Sequence, residues 1–203
     1  MESILRARYT LEEHKNFTKV VGMSRVNLYE LFNSLGFKEG CEVGVWQGKN
    51  AFNILQSIPN VKLTLVDPYT NHPYVRKPRT EEKIVAAEAQ AHIRLEGRNV
   101  LFLRELSEHA VMDIPDEDLD FVYIDGEHHY DQVMLDLILW SRKVRSGGIL
   151  CGHDYFKDDR HLMGVVYAVN DYARIHNIKL YITDIKAEPL SRRSHTSWFW
   201  EKK

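Results

Sequence analysis

GCEVGVWQGKNAFNILQSIPNVKLTLVD, residues 40–67, decides the fold. Its first seven residues read as a short apolar strand running into a turn, where Gly44 and Gly48 let the backbone bend tightly. Residues 49–57 then carry Phe52 and Leu55 in the later turns of a helix, with Pro59 just beyond it. KLTLVD, 62–67, has no polar face, as expected of a strand covered on both sides. Strand, turn, helix and strand in this order imply a parallel sheet covered by helices.

The pattern continues in both directions. Upstream, residues 24–35 space Leu28, Leu31, Phe32 and Leu35 as one helical face, and Gly36 is the stop. Downstream, 68–79 is a loop rich in Pro, Tyr and basic residues. Thr80 caps a helix through 95, with Glu81 and Glu82 where the helix dipole favours anions. Strands are expected at 100–104, 120–125 and 149–153. A helix at 131–144, stopped by Gly147-Gly148, lies between the last two, and another at 165–176 follows. Strands at 179–183 and 196–201 lack a helix between them, because 185–195 holds Pro189 and a basic cluster; they are expected to pair antiparallel at one edge. The expectation is one α/β domain over 1–203, doubly wound, with a mostly parallel seven-stranded sheet, an antiparallel C-terminal edge strand, and 1–23 as an N-terminal extension.

Composition agrees. A chain of 203 residues buries roughly 70% of its unfolded surface and needs neither metal nor disulfides to fold. Lys and Arg number 27 against 29 Asp and Glu, a net charge of −2, which argues against non-specific nucleic-acid binding. With 44% hydrophobic and 28% charged residues the chain is neither disordered, collagenous nor a coiled coil. Charges interrupt every apolar run, as Asp136 interrupts 133–140, so no membrane span is expected. Residues 1–9 carry Glu2, Arg6 and Arg8 without an apolar block, so no signal peptide is expected. Cys41 and Cys151 fall in expected buried strands and read as small core hydrophobes of a reducing compartment, the cytoplasm.

In such sheets ligands bind outside the carboxyl ends of the strands. Standing there are Glu42, Gly44 and Gly48; then Asp67; then Glu105, Leu106 and Ser107; then Asp125, Gly126, Glu127, His128 and His129; then His153, Asp154 and Tyr155. In EVGVWQG, Trp46 replaces the middle glycine of a dinucleotide fingerprint, and the Glu42 anion repels a diphosphate and suits a cation. Asp67 follows Gly44 by 23 positions, near the roughly 20-residue spacing at which an acid reaches a ribose diol. The plainer alternative for Asp67 is a turn cap before Pro68. Together these residues favour a nucleoside ligand without a diphosphate.

EVGVWQG, LTLVDPY, FVYIDGEHHYDQVMLDL and SGGILCGHDY stand in the order used by the class I S-adenosylmethionine-dependent methyltransferases, which the chain resembles over about 28–200. Within them it is most similar to the small-molecule group marked by IDG-x-H-x-Y and GG-x-hydrophobic-HD-Y/W. The resemblance implies a Rossmann-like fold and S-adenosylmethionine as cofactor. It places Glu42 and Gly44, with Gly48, by the methionine portion, Asp67 on the ribose, and Leu106 and Ser107 beside the adenine. Asp125 and Gly126 would line the floor beneath the sulfonium.

Methyl transfer needs an acceptor held in line and, where present, its proton removed. Two arrangements suit Asp125, His128, His153 and Asp154. In one, an imidazole of His128 or His153 is the general base and the Asp154 carboxylate orients it. In the other, Asp125, His153 and Asp154 hold Mg²⁺, Mn²⁺ or Zn²⁺. His153 stands where related metal-using O-methyltransferases commonly have an acid, and imidazole suits Zn²⁺ or Mn²⁺ better. His129 is expected to face solvent. The loops 68–79 and 156–163 should overhang the site; Tyr69, Tyr74, Arg76 and Tyr155 would shape an acceptor pocket, and Arg76, Lys77 and Arg79 would attract an anion. The resulting expectation is O-methylation of a small-molecule acceptor, with no nucleic-acid or membrane partner and a homo-oligomer open. The alternatives are a metal-dependent hydrolase built on Asp125, His128, His129, His153 and Asp154, and a non-catalytic nucleoside-binding module.

Overall fold

The computed structural model describes residues 1–71, 78–155, 164–187 and 196–203. The chain opens with helix α1 (Glu2–Arg8) and strands β1 (Thr10–Glu13) and β2 (Thr18–Val21). Next come α2 (Arg25–Ser34), β3 (Glu39–Val43), α3 (Lys49–Ser57), β4 (Lys62–Val66), α4 (Glu81–Arg94) and β5 (Val100–Leu103). The short α5 (Ser107–Ala110) precedes β6 (Leu119–Ile124), α6 (Tyr130–Trp140), β7 (Val144–Gly152), α7 (Val165–Ile175), β8 (Tyr181–Thr183) and β9 (Trp198–Glu201).

All nine strands form one sheet in the order β1-β2-β8-β9-β7-β6-β3-β4-β5. From β5 to β7 every pairing is parallel. Strand order reverses between β3 and β6, so the crevice that can receive a ligand opens at their carboxyl ends. Alternation along β6 divides the core into two layers. Phe121 and Tyr123 pack with Phe32 and Ile54 on one face, and Val122 and Ile124 pack with Trp140 and Leu150 on the other. Ser24 caps α2 in a reciprocal box with Asn27, and Leu28, Leu31 and Phe32 are buried as their spacing requires.

Three expectations change. Among the described residues the sheet has nine strands rather than seven, because residues read as an extension supply β1 and β2. Leu5, Val20 and Met23 there are fully buried, but TLEE of β1 is mostly exposed and shows no apolar alternation. The C-terminal antiparallel strand is internal: β9 lies between β7 and β8 and runs against both, while the antiparallel edge strand is β1, paired with β2. Finally, Gly147-Gly148 does not separate helix from strand. α6 ends at Trp140 and β7 begins at Val144, with the glycines in an irregularity where pairing shifts from Leu119↔Val144 to Phe121↔Ile149. Tyr74, Arg76, Lys77, Pro189 and residues 156–163 lie outside the described residues. No described helix is long and apolar enough to cross a membrane.

Candidate active site

One wall of the site is backbone. Gly44 leaves β3 at φ +92°, its N–H donating to the Val66 carbonyl (2.8 Å). A Cβ there would strike the Asp125 carbonyl, so only glycine lets the two strand ends meet. Gly48 caps α3 in the left-handed region, and Trp46 (φ +50°) and Tyr69 (φ +47°) also have positive φ. Asp67 holds this turn together. Its Oδ2 accepts from the Val45 and Trp46 N–H groups (3.0 and 2.8 Å), and Oδ1 accepts from the Tyr69 N–H (2.8 Å). A carboxylate offers about four acceptor sites, so roughly one is left for a ligand.

The turn borders a cavity of 460 Å³ that also touches Arg25, Glu42, Asn50, Asp67, Leu106, Ser107, Asp125, Gly126 and His128. Glu42 lies within β3 rather than beyond it, and is fully buried. Its Oε1 accepts from Asn50 Nδ2 (2.9 Å), whose Oδ1 accepts from the Tyr29 hydroxyl (2.6 Å). Oε2 is buried with no hydrogen-bond partner among the described residues. Burial, reinforced by the Asp125 charge, pushes this carboxyl well above the usual range. Burial thus works against the expected Glu42 anion. Gly48 is not on the cavity wall; it lets α3 approach Ala91. Arg25 and Asn50 are on the wall, yet no sequence pattern distinguishes them from ordinary helix residues.

At the far end, Leu106, Ser107, Glu108, Gln132 and Asp136 form the wall. Ser107 Oγ donates to Asp136 Oδ1 (2.5 Å) and accepts from Trp140 Nε1 (2.7 Å), while Gln132 Nε2 donates to the same Oδ1 (3.4 Å). Burial pushes the Asp136 carboxyl up to about 7.

Where β6 and β7 end, four ionisable side chains converge. Asp154, at φ +58° and 7% exposed, has Oδ2 2.6 Å from His128 Nε2 and Oδ1 3.2 Å from His153 Nδ1. Asp125 Oδ1 is 3.8 Å from His153 Nδ1. Burial alone would raise the Asp154 pKa and lower both imidazoles, but their mutual attraction prevails: the acid lies below its usual range and both imidazoles above theirs. His128 borders the main cavity; His153 instead borders a void of 10 Å³ behind it, with Trp198 and Val165. Among the described residues, donor atoms of Asp125, His128 and Asp154 lie within 4.8 Å of one another, a set that shares both acids with the expected Asp125, His153 and Asp154. His129 is exposed at the start of α6. The Tyr155 hydroxyl turns away, toward Asn170 (2.8 Å), and Arg79 lies over the Trp46 ring at 4.3 Å.

Sheet order and cavity together define a Rossmann-like α/β protein with its ligand site at the strand-order reversal. Residues 41–155 match the family model described as a methyltransferase domain, more than half of the chain, and the chain belongs to that methyltransferase family. No curated protein sequence matches it. Among solved structures it is similar to an O-methyltransferase family protein from Burkholderia thailandensis (14% identity, TM-score 0.58). The match covers 88% of this chain and spans 55% of that one. It is similar also to the O-methyltransferase TomG from Streptomyces achromogenes in complex with S-adenosylmethionine (11%, TM-score 0.62, 88% and 79% covered). A third is the N-methyltransferase NodS from Bradyrhizobium japonicum (14%, TM-score 0.56, 88% and 94% covered). The shared property is the class I methyltransferase fold, common to enzymes acting on oxygen and on nitrogen.

Proposed function

We propose that residues 1–203 act as one methyltransferase domain that moves the methyl group of S-adenosylmethionine to an oxygen of a small-molecule acceptor. Glu42 Oε2 carries the reading. A buried carboxyl oxygen without a partner is costly, and here it shares a cavity wall with Arg25. An amino-acid end fits this wall, its ammonium against Glu42 and its carboxylate against Arg25. Asp67 then receives one ribose hydroxyl, Gly44 and Gly126 allow close backbone approach, and Leu106 and Ser107 flank the base. A hydrolase built on the Asp125–Asp154 cluster would leave Glu42 unexplained. The buried thiols of Cys41 and Cys151 suit a reducing compartment such as the cytoplasm.

The bound cofactor supplies an electrophilic methyl carbon on a sulfonium; the chain must hold the acceptor in line and take its proton. His128 Nε2 lies 2.6 Å from the Asp154 carboxylate, and above its raised pKa the neutral imidazole takes the acceptor's proton at Nδ1. Asp154 is a positioning residue that fixes the tautomer, with the logic of a Ser-His-Asp triad. His153 holds Asp154 from its other oxygen. A divalent ion also suits this donor set: Asp125, His128 and Asp154 would hold Mn²⁺ or Zn²⁺ rather than Mg²⁺, supplying a Lewis acid that acidifies an acceptor hydroxyl. Methylation that stops on chelation and returns with Mn²⁺ or Zn²⁺ assigns the cluster to the ion, whereas indifference assigns it to proton transfer.

Calorimetric titration with S-adenosylhomocysteine tests the reading. Micromolar binding is expected, weakened about tenfold in Glu42→Gln, in keeping with one charge-assisted hydrogen bond. No binding to the unaltered protein sinks the proposal.

A further inference from the structure

We infer that the outer face of α6 pairs two copies of this chain, antiparallel about a two-fold axis between positions 136 and 137. The helix is apolar on both sides. Val133, Leu137 and Trp140 are buried in the core, yet Leu135 (36% exposed) and Ile138 (44%) face outward, with Met134 and Leu139 half-buried beside them. A helix that is apolar all round is one that gets covered all round. α5 lies alongside, Ser107 touching Asp136 and Trp140, and the turn after it exposes Met112 (78%).

The order of residues on this face names the occupant. At about 100° per residue, Asp131, Leu135, Ile138 and Arg142 fall within about 60° of arc. Arg142 stands in the turn that carries on from the helix, its N–H donating to the Leu139 carbonyl (3.4 Å). Both charges are exposed, and neither is ion-paired within the described residues. Read backwards, the series is base, apolar, apolar, acid, at the same spacing. An antiparallel second copy therefore sets each Asp131 against an Arg142, each Leu135 against an Ile138 and each Met134 against a Leu139. The helix dipole alone would favour the two charges, but not the apolar pair centred between them on the same arc. Such self-complementarity is what an isologous two-fold contact requires, and a different partner has no need of it. The inner side of α6 borders the cavity through Gln132 and Asp136, so pairing braces one wall of the site.

Sedimentation velocity from about 1 to 300 µM, the range of specific pairs with a small interface, tests this without any ligand and so independently of the cofactor reading. The unaltered chain should pass from monomer to dimer. Ile138→Lys puts a charge on the apolar centre twice per dimer and should weaken pairing about tenfold or more. Asp131→Arg alone and Arg142→Asp alone should each do the same, because like charges then meet at both ends. An equimolar mixture of these two variants should dimerise again, since the two arginines of one copy then meet the two aspartates of the other. A chain that stays monomeric throughout leaves the face to another partner and overturns the inference. So does a dimer indifferent to Ile138→Lys, or a pair of charge variants that fail to rescue each other. Should Ile138→Lys not fold, the charge variants, both at exposed positions, still decide.

Discussion

The two sides of the cavity are built from different materials. Around the end of β3 the site is main chain, a turn of positive-φ residues pulled into place by three backbone N–H groups on Asp67. Across the crevice, where β6 and β7 end, it is side chain, with one carboxylate between two imidazoles. The first side takes its shape from backbone conformation. The second is held by charge and responds to pH. Steric change should therefore damage the turn and electrostatic change the cluster.

The hardest test of that contrast is Gly44→Ala. It forces a side chain into the left-handed region and onto the Asp125 carbonyl, so a loss of more than about 4 kcal/mol of stability is expected from strain and overpacking together. Urea denaturation measures it, and a loss under 1 kcal/mol would show that the strand ends can part. Asp154→Asn should act on the other side alone. Turnover is expected to fall about 100-fold, the usual scale for a misdirected general base, with S-adenosylhomocysteine affinity unchanged. Asp67→Asn replaces an acceptor by a donor facing N–H groups, so about 2 kcal/mol of stability should go with the ligand.

The smallest effect is in pH dependence. Asp154 lies below its ordinary value of 3.8 and the imidazoles above theirs of 6.5. Their pairing contributes fully between those two values, is lost as pH rises through the raised imidazole pKa values, and is lost again as acid protonates Asp154. The stability difference between the unaltered protein and Asp154→Asn should therefore narrow as pH rises above 6.5; a constant gap would mean that the pair is not ionic.

The main-chain side was readable in the sequence because its signals are local. Gly44 and Gly48, Pro59 and the apolar run of β4 each act within a few residues, and α3 forms where its spacing says. The ionisable cluster was readable as a group of candidates, since its members stand at strand ends, but not its pairing: which imidazole reaches the cavity depends on how β6 and β7 lie together. Asp136 was legible only as a charge breaking an apolar run, because its meaning comes from Ser107 and Trp140 folding onto it. Arg25 and Asn50 were silent for the same reason. The position of β9 was hidden because strand order is a property of the whole sheet, and β1 and β2 carry too little apolar surface to announce themselves.

The pairing of β2 with β8 sets a timetable for the protein's birth. Thr18, Lys19 and Val20 align with Tyr181, Ile182 and Thr183, the Thr18 N–H donates to the Leu180 carbonyl, and Gly22 N–H donates to Asp184 Oδ2. Gly22 and Asp184 stand 162 positions apart, so β2 must wait for a strand made long after it before its backbone finds that neighbour. Pairing across such a separation is slow, and until it forms the nascent chain carries an unpaired strand edge, the state in which growing chains most readily stick to one another.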